Sequence, residues 1–292
     1  MNAPQSAARS RLLTNPRVRR AAELALGVIR RGRRISWAPD GMDLGNLLTL
    51  GRWAYQGAAA GEARFVLLRP HREGVVSIFP VLRERLFVPL DEVRFTDRRL
   101  ITWRGQRPCD DLHANPDYIR SCLLPGSGVG EPPLDLRGLV VINVRRGLYY
   151  ARPGLRAMFG FNVAEYVAEA VAATVRMSGA PRGFHIVSDD IAWCRAELPR
   201  VLPHGAAVTW GTGPDPRSDL VTLAGAERLI LANSTFSYWG GFIGDVLHPG
   251  REVWVPWLFC RGFDGGDSTR EISPHWNVIR EIPGGWGLPP DD

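Results

Sequence analysis

The stretch VVINVRRGLYY, residues 140–150, decides how this chain is read. An apolar run ends in Arg145, Arg146 and Gly147. Such a run reads as a strand buried on both faces, which implies a parallel sheet covered by helices. No acidic residue inside the stretch neutralises the two arginines. If the strand continues through them they point to opposite sides, so only one reaches a shared cleft directly. An arginine fork binds two oxygens at once and suits a diphosphate. For Arg146 the competing reading is an ion pair with Asp189 or Asp190.

Downstream, strand and helix signals alternate. A strand over 139–144 precedes a helix over 163–178 with Val163, Tyr166, Val167, Ala170, Val171 and Val175 on one stripe. Strands at 184–188, 206–210 and 228–232 precede helices at 189–198, 219–226 and 234–247, and 252–257 closes the set. Upstream, a strand at 35–38, a glycine-containing turn, a helix over 46–60 and a strand at 65–68 form a second α/β unit. Residues 70–120 carry no clear assignment. The Gly- and Pro-rich stretch 124–138 reads as a linker. The expected organisation is a basic arm over 1–34, a Rossmann-like unit over 35–130 and a second over 131–292.

In open parallel sheets ligands bind outside the carboxyl ends of the strands. The unusual residues fall there: Arg145–Arg146, Ser188–Asp189–Asp190, Asp219, and Asn233–Ser234–Thr235. A helix starting near residue 234 would offer free N–H groups and a favourable dipole to an anion. The plainer reading of Asn233 to Thr235 is a helix cap. Asp219 can accept hydrogen bonds from purine N–H groups, a geometry open to guanine and not adenine, or can cap its own helix.

The 292 residues are 45% hydrophobic and 23% charged, as in a folded globular protein. Net charge is +6 and every basic residue but the histidines is arginine, which fits a codon bias. The first 34 residues hold nine arginines and one acid, Glu23. Over 15–32 they pattern as a basic helix, a solvated appendage or a peripheral contact with an anionic membrane. Its apolar stretch is too short for a signal sequence or a membrane span, so the expected location is cytoplasmic. Cys109, Cys122, Cys194 and Cys260 lack metal-ligand spacing and read as reduced thiols. The motifs of P-loop, dinucleotide-binding, zincin and α/β-hydrolase proteins are absent from the sequence.

Five segments resemble glycosyltransferase family 11, the inverting α-1,2-fucosyltransferases. GMDLGN (41–46) is similar to the family's G-G-L-G-N-Q, and VVINVRRGLYY to its H-x-R-R-x-D strand end. HIVSDDIAWC (185–194) resembles F-S-D-D-x-x-W-C, LANSTFSYWGG (231–241) resembles A-N-S-T-F-S-W-W-G, and SPHWNVI (273–279) fits the tail. The resemblance implies a GT-B-like fold of two Rossmann-like domains and no essential metal or cofactor. It implies GDP-β-L-fucose as donor and a glycan acceptor, with galactose O2 as the expected hydroxyl. The C-terminal domain would bind the nucleotide and the N-terminal domain the acceptor.

The resemblance also assigns residues. Arg145 would bind the diphosphate, Asp219 read guanine, and Ser234, Thr235 and Ser237, with Asn233 and Phe236, support the phosphates. Asn46, beside Gly45, would lie near the transferred sugar. Asn143, Arg146 and Asp189 complete the expected substrate contacts. Two positions depart from the pattern: the family's His is Asn143 here, and its Asp is Leu148. Leu148 cannot act as a base, and Asp40, Asp43 and Glu165 are the substitutes in view. A GDP-sugar-binding protein with weakened catalysis is therefore one rival reading, and a basic nucleic-acid-binding protein another, although no nucleic-acid module is recognisable.

Overall fold

A computed structural model describes residue 26 and residues 28–100, 115–131, 135–212, 215–262 and 272–288. Most of the expected basic helix over 15–32, and Cys109, lie outside the described residues.

Two parallel sheets organise the chain, as an α/β fold of two Rossmann-like units requires. The first runs β3-β2-β1-β4, from β1 (Arg34–Ser36), β2 (Arg64–Leu68), β3 (Phe87–Pro89) and β4 (Arg98–Leu100). Helix α1 (Leu44–Ala59) links β1 to β2, and α2 (Pro80–Leu86) leads into β3. In the described part of the segment that had no assignment, short helical turns at Pro70–Arg72, Glu73–Val76 and Leu90–Glu92 accompany α2, β3 and β4. They are too brief to leave a periodicity in sequence.

The second sheet contains β5 (Leu139–Val144), β6 (Gly183–Ser188), β7 (Val208–Trp210), β8 (Arg228–Ile230), β9 (Glu252–Pro256) and β10 (Asn277–Ile279). Its order is β10-β9-β8-β5-β6-β7, parallel throughout. The chain leaves β5 in one direction through β6 and β7, then returns to the other side of β5 with β8. The strand order therefore reverses between β5 and β8, and a crevice opens at the carboxyl ends of those two strands. Helices α3 (Gly147–Ala151), α4 (Pro153–Phe159), α5 (Val163–Ser178), α6 (Ile191–Glu197), α7 (Pro216–Gly225) and α8 (Thr235–Leu247) supply the crossovers.

Alternation along β5 sorts its side chains. Val140, Ile142 and Val144 pack with α5, whereas Val141 joins the core under α7 and α8. That second core is continuous with the first sheet through Leu47, Leu48, Tyr118, Leu223, Trp239 and Ile243. Within the second half, α8 packs closely on its neighbours because it is glycine-rich. A Cβ on Gly240 would lie 2.6 Å from Leu223, one on Gly241 2.5 Å from Trp276, and one on Gly244 2.0 Å from the Arg251 guanidinium.

Arg251, with its side chain 2% exposed, donates to the carbonyls of Leu223, Ala224 and Ala226 at the C-terminal end of α7 and of Gly240 and Gly241 within α8. Its Nε pairs with Asp245 at 3.1 Å. One cation thus satisfies the carbonyl end of α7, where the dipole is negative.

Three sequence expectations need correction. The set of strands does not close at 257, since β10 adds an edge strand only three residues long. The stretch 124–138 is not a free tether in its described part: Ser127 and Val129 are fully buried, Leu136 nearly so, and Arg217 donates to the Ser127 carbonyl. Gly126 and Gly128, at φ +71° and +67°, make the turns that fold it back. The small helices α3 and α4 follow directly on the double arginine, where no element was expected.

Removing Arg251 strands several buried carbonyls and the Asp245 charge. Arg251→Ala should lower stability by about 3–5 kcal/mol, read as a shift in the urea midpoint.

Candidate functional site

The crevice at the strand switch point collects the expected residues. β5 ends at Val144, and Arg145 follows on the side facing α8 and α1. Its Nη1 lies 2.9 Å from Asp189 Oδ2 and its Nη2 3.2 Å from Asp43 Oδ2. Its guanidinium also stands over the Tyr149 ring, 5.5 Å from the centroid. Burial pushes the Tyr149 hydroxyl up to about 12, so it stays protonated. The stretch without an acid of its own is therefore supplied with aspartates from elsewhere in the chain.

Arg146 takes the opposite side and is 6% exposed. Its guanidinium lies between the rings of Tyr150 and Trp193, 3.9 and 4.0 Å from their centroids, and 3.6 Å from Asp190. Of the two readings open for Arg146, this geometry is that of a structural ion pair with aromatic stacking.

The segment Ser188–Asp189–Asp190 divides its labour. The Ser188 hydroxyl accepts from the Asp190 N–H, and Asp190 caps α6 by accepting from Trp193 N. Asp189 accepts from the Arg146 N–H at 2.8 Å and holds Arg145 with its other oxygen. A Cβ on Gly147 would fall 2.3 Å from Asp189 Oδ2. The glycine after the double arginine thus makes room for the carboxylate that fixes Arg145. Gly147 was missed as a site residue, although its place directly after two charged residues was the available signal.

At the facing strand end, Ser234 takes the N-cap position of α8 with extended backbone and makes no capping bond. The first-turn N–H groups of Thr235, Phe236 and Ser237 have no acceptor within the helix, which gives the crevice an electropositive edge. Asn233 does not join that edge. Its amide donates to the carbonyls of Phe159 and Phe259, pinning the loop after α4 to the loop after β9. Asn143 is likewise engaged by protein: it donates to the Val187 carbonyl and accepts from the Ser237 hydroxyl.

The first half of the chain reaches the same edge through α1. Asn46 Oδ1 accepts from the Thr235 hydroxyl at 3.3 Å, and the Trp239 indole donates to Thr49 at 3.0 Å. A Cβ on Gly45 would sit 2.3 Å from the Phe236 nitrogen. Gly45 is needed because the start of α1 abuts the start of α8. α1 begins at Leu44, two residues before the expected start, so Asn46 lies in its first turn.

Asp219 sits in the first turn of α7, half-buried. The cap of that helix is Asp215, which accepts from Arg217 N, with Pro216 at the first helical position. Capping is thereby removed as the explanation of Asp219. Burial, then repulsion from Asp215 and Asp189, pushes its carboxyl up to about 7. Leu148 is 48% exposed on α3. Among the described residues no three His, Cys, Asp or Glu side chains gather as metal ligands would, and no helix is long and apolar enough to cross a membrane.

Comparison with known proteins adds a family-level finding. Residues 131–246 match the model of Glycosyl transferase family 11, a span covering β5 through α8. Over 104 residues the chain is 26% identical to an alpha-1,2-colitosyltransferase of Escherichia coli, a match that covers 36% of each protein. The chain thus aligns with about a third of that relative. Among solved structures it is similar to the iron-containing dodecameric glycosyltransferase TibC from enterotoxigenic E. coli H10407, at TM-score 0.42 and 14% identity over 77% of this chain and 58% of that one. It is also similar to the E. coli heptosyltransferase WaaC with ADP, at TM-score 0.45 and 12% identity over 86% and 94%. The family match and the curated relative support glycosyl transfer as the class of activity.

Asp219 predicts a pH signature of folding. Its folded-state carboxyl titrates near 7 against an ordinary 3.8, so the folded protein keeps a proton that the unfolded chain has lost between those values. That stabilisation is complete below 3.8 and is lost as pH rises through about 7. Urea titrations of Asp219→Asn should show a flatter pH dependence than the parent across this window.

Proposed function

We propose that this protein transfers L-fucose from GDP-β-L-fucose to a glycan hydroxyl, galactose O2 being the expected one, with inversion and without a metal. The observation that carries the reading is the switch point. Within the span matching the family model, Arg145 follows β5, and α8, whose N-cap Ser234 makes no side-chain capping bond, follows the neighbouring strand β8. That is a cationic fork and a helix N-terminus on one anion-sized edge.

The chemistry follows from charge. When the sugar–phosphate bond breaks, negative charge grows on the β-phosphate. On this reading Arg145, held by Asp189, and the first-turn N–H groups of α8 would stabilise that charge with little reorganisation. Asp219 would accept from the N–H groups of guanine, and Asn46, at the start of α1, would approach the transferred sugar. On this reading the 131–292 half binds donor and the 35–130 half binds acceptor. Leu148 favours the alternative of a GDP-sugar-binding protein with weakened catalysis, because an exposed leucine stands where the family carries its acid.

Arg145→Ala should lower GDP release from GDP-fucose by about 10²–10³-fold and leave the denaturation midpoint unchanged, since it removes a transition-state donor. Arg146→Ala should do the reverse, costing stability through the lost Tyr150 and Trp193 stacking. GDP needs Asp219 ionised, so its binding by calorimetry should tighten as pH rises through about 7 and then level. Asp219→Asn should abolish that dependence. GDP bound with no release from GDP-fucose over a β-galactoside panel would favour the weakened alternative.

A further inference from the structure

The two halves of the chain meet across the crevice at one exposed ion pair. Asp43 stands at the N-cap position of α1 with extended backbone, φ −85° and ψ 176°, yet makes no capping bond. An N-cap aspartate ordinarily accepts from the second or third helical N–H. Here the carboxylate instead reaches Arg145 Nη2, 102 residues away, and its side chain is 71% exposed. The other two substitutes named from the sequence, Asp40 and Glu165, are placed elsewhere. Asp40 pairs with Arg69 at 3.1 Å. Glu165 lies in the first turn of α5, the helix on the opposite face of the second sheet.

We propose that Asp43 is the base that accepts the acceptor's proton, and that Arg145 holds it in reserve until donor binds; this rests on the glycosyl-transfer reading above. Arg145 has two carboxylate partners of unequal strength. Asp189 is at 2.9 Å and 19% exposed, while Asp43 is at 3.2 Å and largely in solvent. An arriving diphosphate, with its greater charge, displaces the weaker partner and leaves Asp189 in place. A sugar diphosphate inserted between Arg145 and Asp43 then has phosphate against one wall and a freed carboxylate on the other. An inverting acceptor attacks from that second wall.

In the step itself the acceptor oxygen forms a bond to the anomeric carbon and its proton passes to an Asp43 oxygen. The bond from the anomeric carbon to the β-phosphate oxygen breaks, and its electron pair leaves with GDP, whose added charge faces Arg145. Asp43 later returns its proton to water. The carboxylate missing at Leu148 is thus supplied from α1, by the residue in place of the second glycine of G-G-L-G-N-Q.

The test joins two measurements that a structural role would not move in opposite directions. Asp43→Asn should tighten GDP binding about two- to fivefold in calorimetry, because an exposed competing ion pair is removed. It should also lower kcat for GDP release from GDP-fucose with β-galactosides by about 100-fold or more, without raising KM for the donor. Asp43→Glu should restore part of that kcat. Unchanged or weaker GDP binding in Asp43→Asn overturns the displacement, and a kcat within about threefold of the parent overturns the base. A parent that binds GDP but releases none from GDP-fucose overturns the base together with the fucose donor, and the calorimetry still reads the displacement. A parent that does not bind GDP overturns the nucleotide reading and this inference together.

Discussion

The rest of the structure depends on how closely α1 can approach α8. Gly45 lies against the Phe236 backbone with no room for a Cβ, and from that point the helices run together through Asn46–Thr235 and Thr49–Trp239. Tyr118 tightens the same seam, donating to the Leu48 carbonyl and lying edge-on to Trp239. This seam sets the width of the crevice. It brings Asp43, one residue before α1, to Arg145 at the end of a strand in the other sheet. A side chain at Gly45 would hold the first half of the chain off α8.

The strand order could be anticipated in kind but not in detail. β5 and α5 stand where the apolar run and the helical stripe put them, because both are long enough to carry a period. β10 and the helices α3 and α4 went unseen, since three- to seven-residue elements hold too few turns or alternations to register. Their boundaries are set by tertiary contacts: Tyr150 bonded to Phe161, Tyr149 stacked on Phe159, and Asn233 tying two loops.

The site was legible as a list of residues and illegible as a set of roles. Arg145, Asp189, Ser234, Thr235 and Asn46 do converge. Which of them faces the crevice is decided by alternation along β5 and by which partners are already occupied, and neither property belongs to a single residue. Arg146, Asn143 and Asn233 share the same motifs yet are engaged by rings, hydroxyls and carbonyls of the protein. Asp219 looked like a cap until Asp215 took that place four residues earlier. Gly147 gains its meaning in three dimensions, as the gap into which Asp189 fits.

The glycines of α8 have a consequence for how that helix is held. Each glycine in a helix interior costs about 1 kcal/mol relative to alanine, so Gly240, Gly241 and Gly244 leave this helix a poor former on its own. Its persistence relies on Leu223, Trp276 and Arg251, which fill the spaces the glycines leave and come from α7, from the approach to β10 and from the start of β9. The first turn of α8 therefore belongs to a helix held by packing from both flanks, and a chain ending before Trp276 would lack part of what holds it in place.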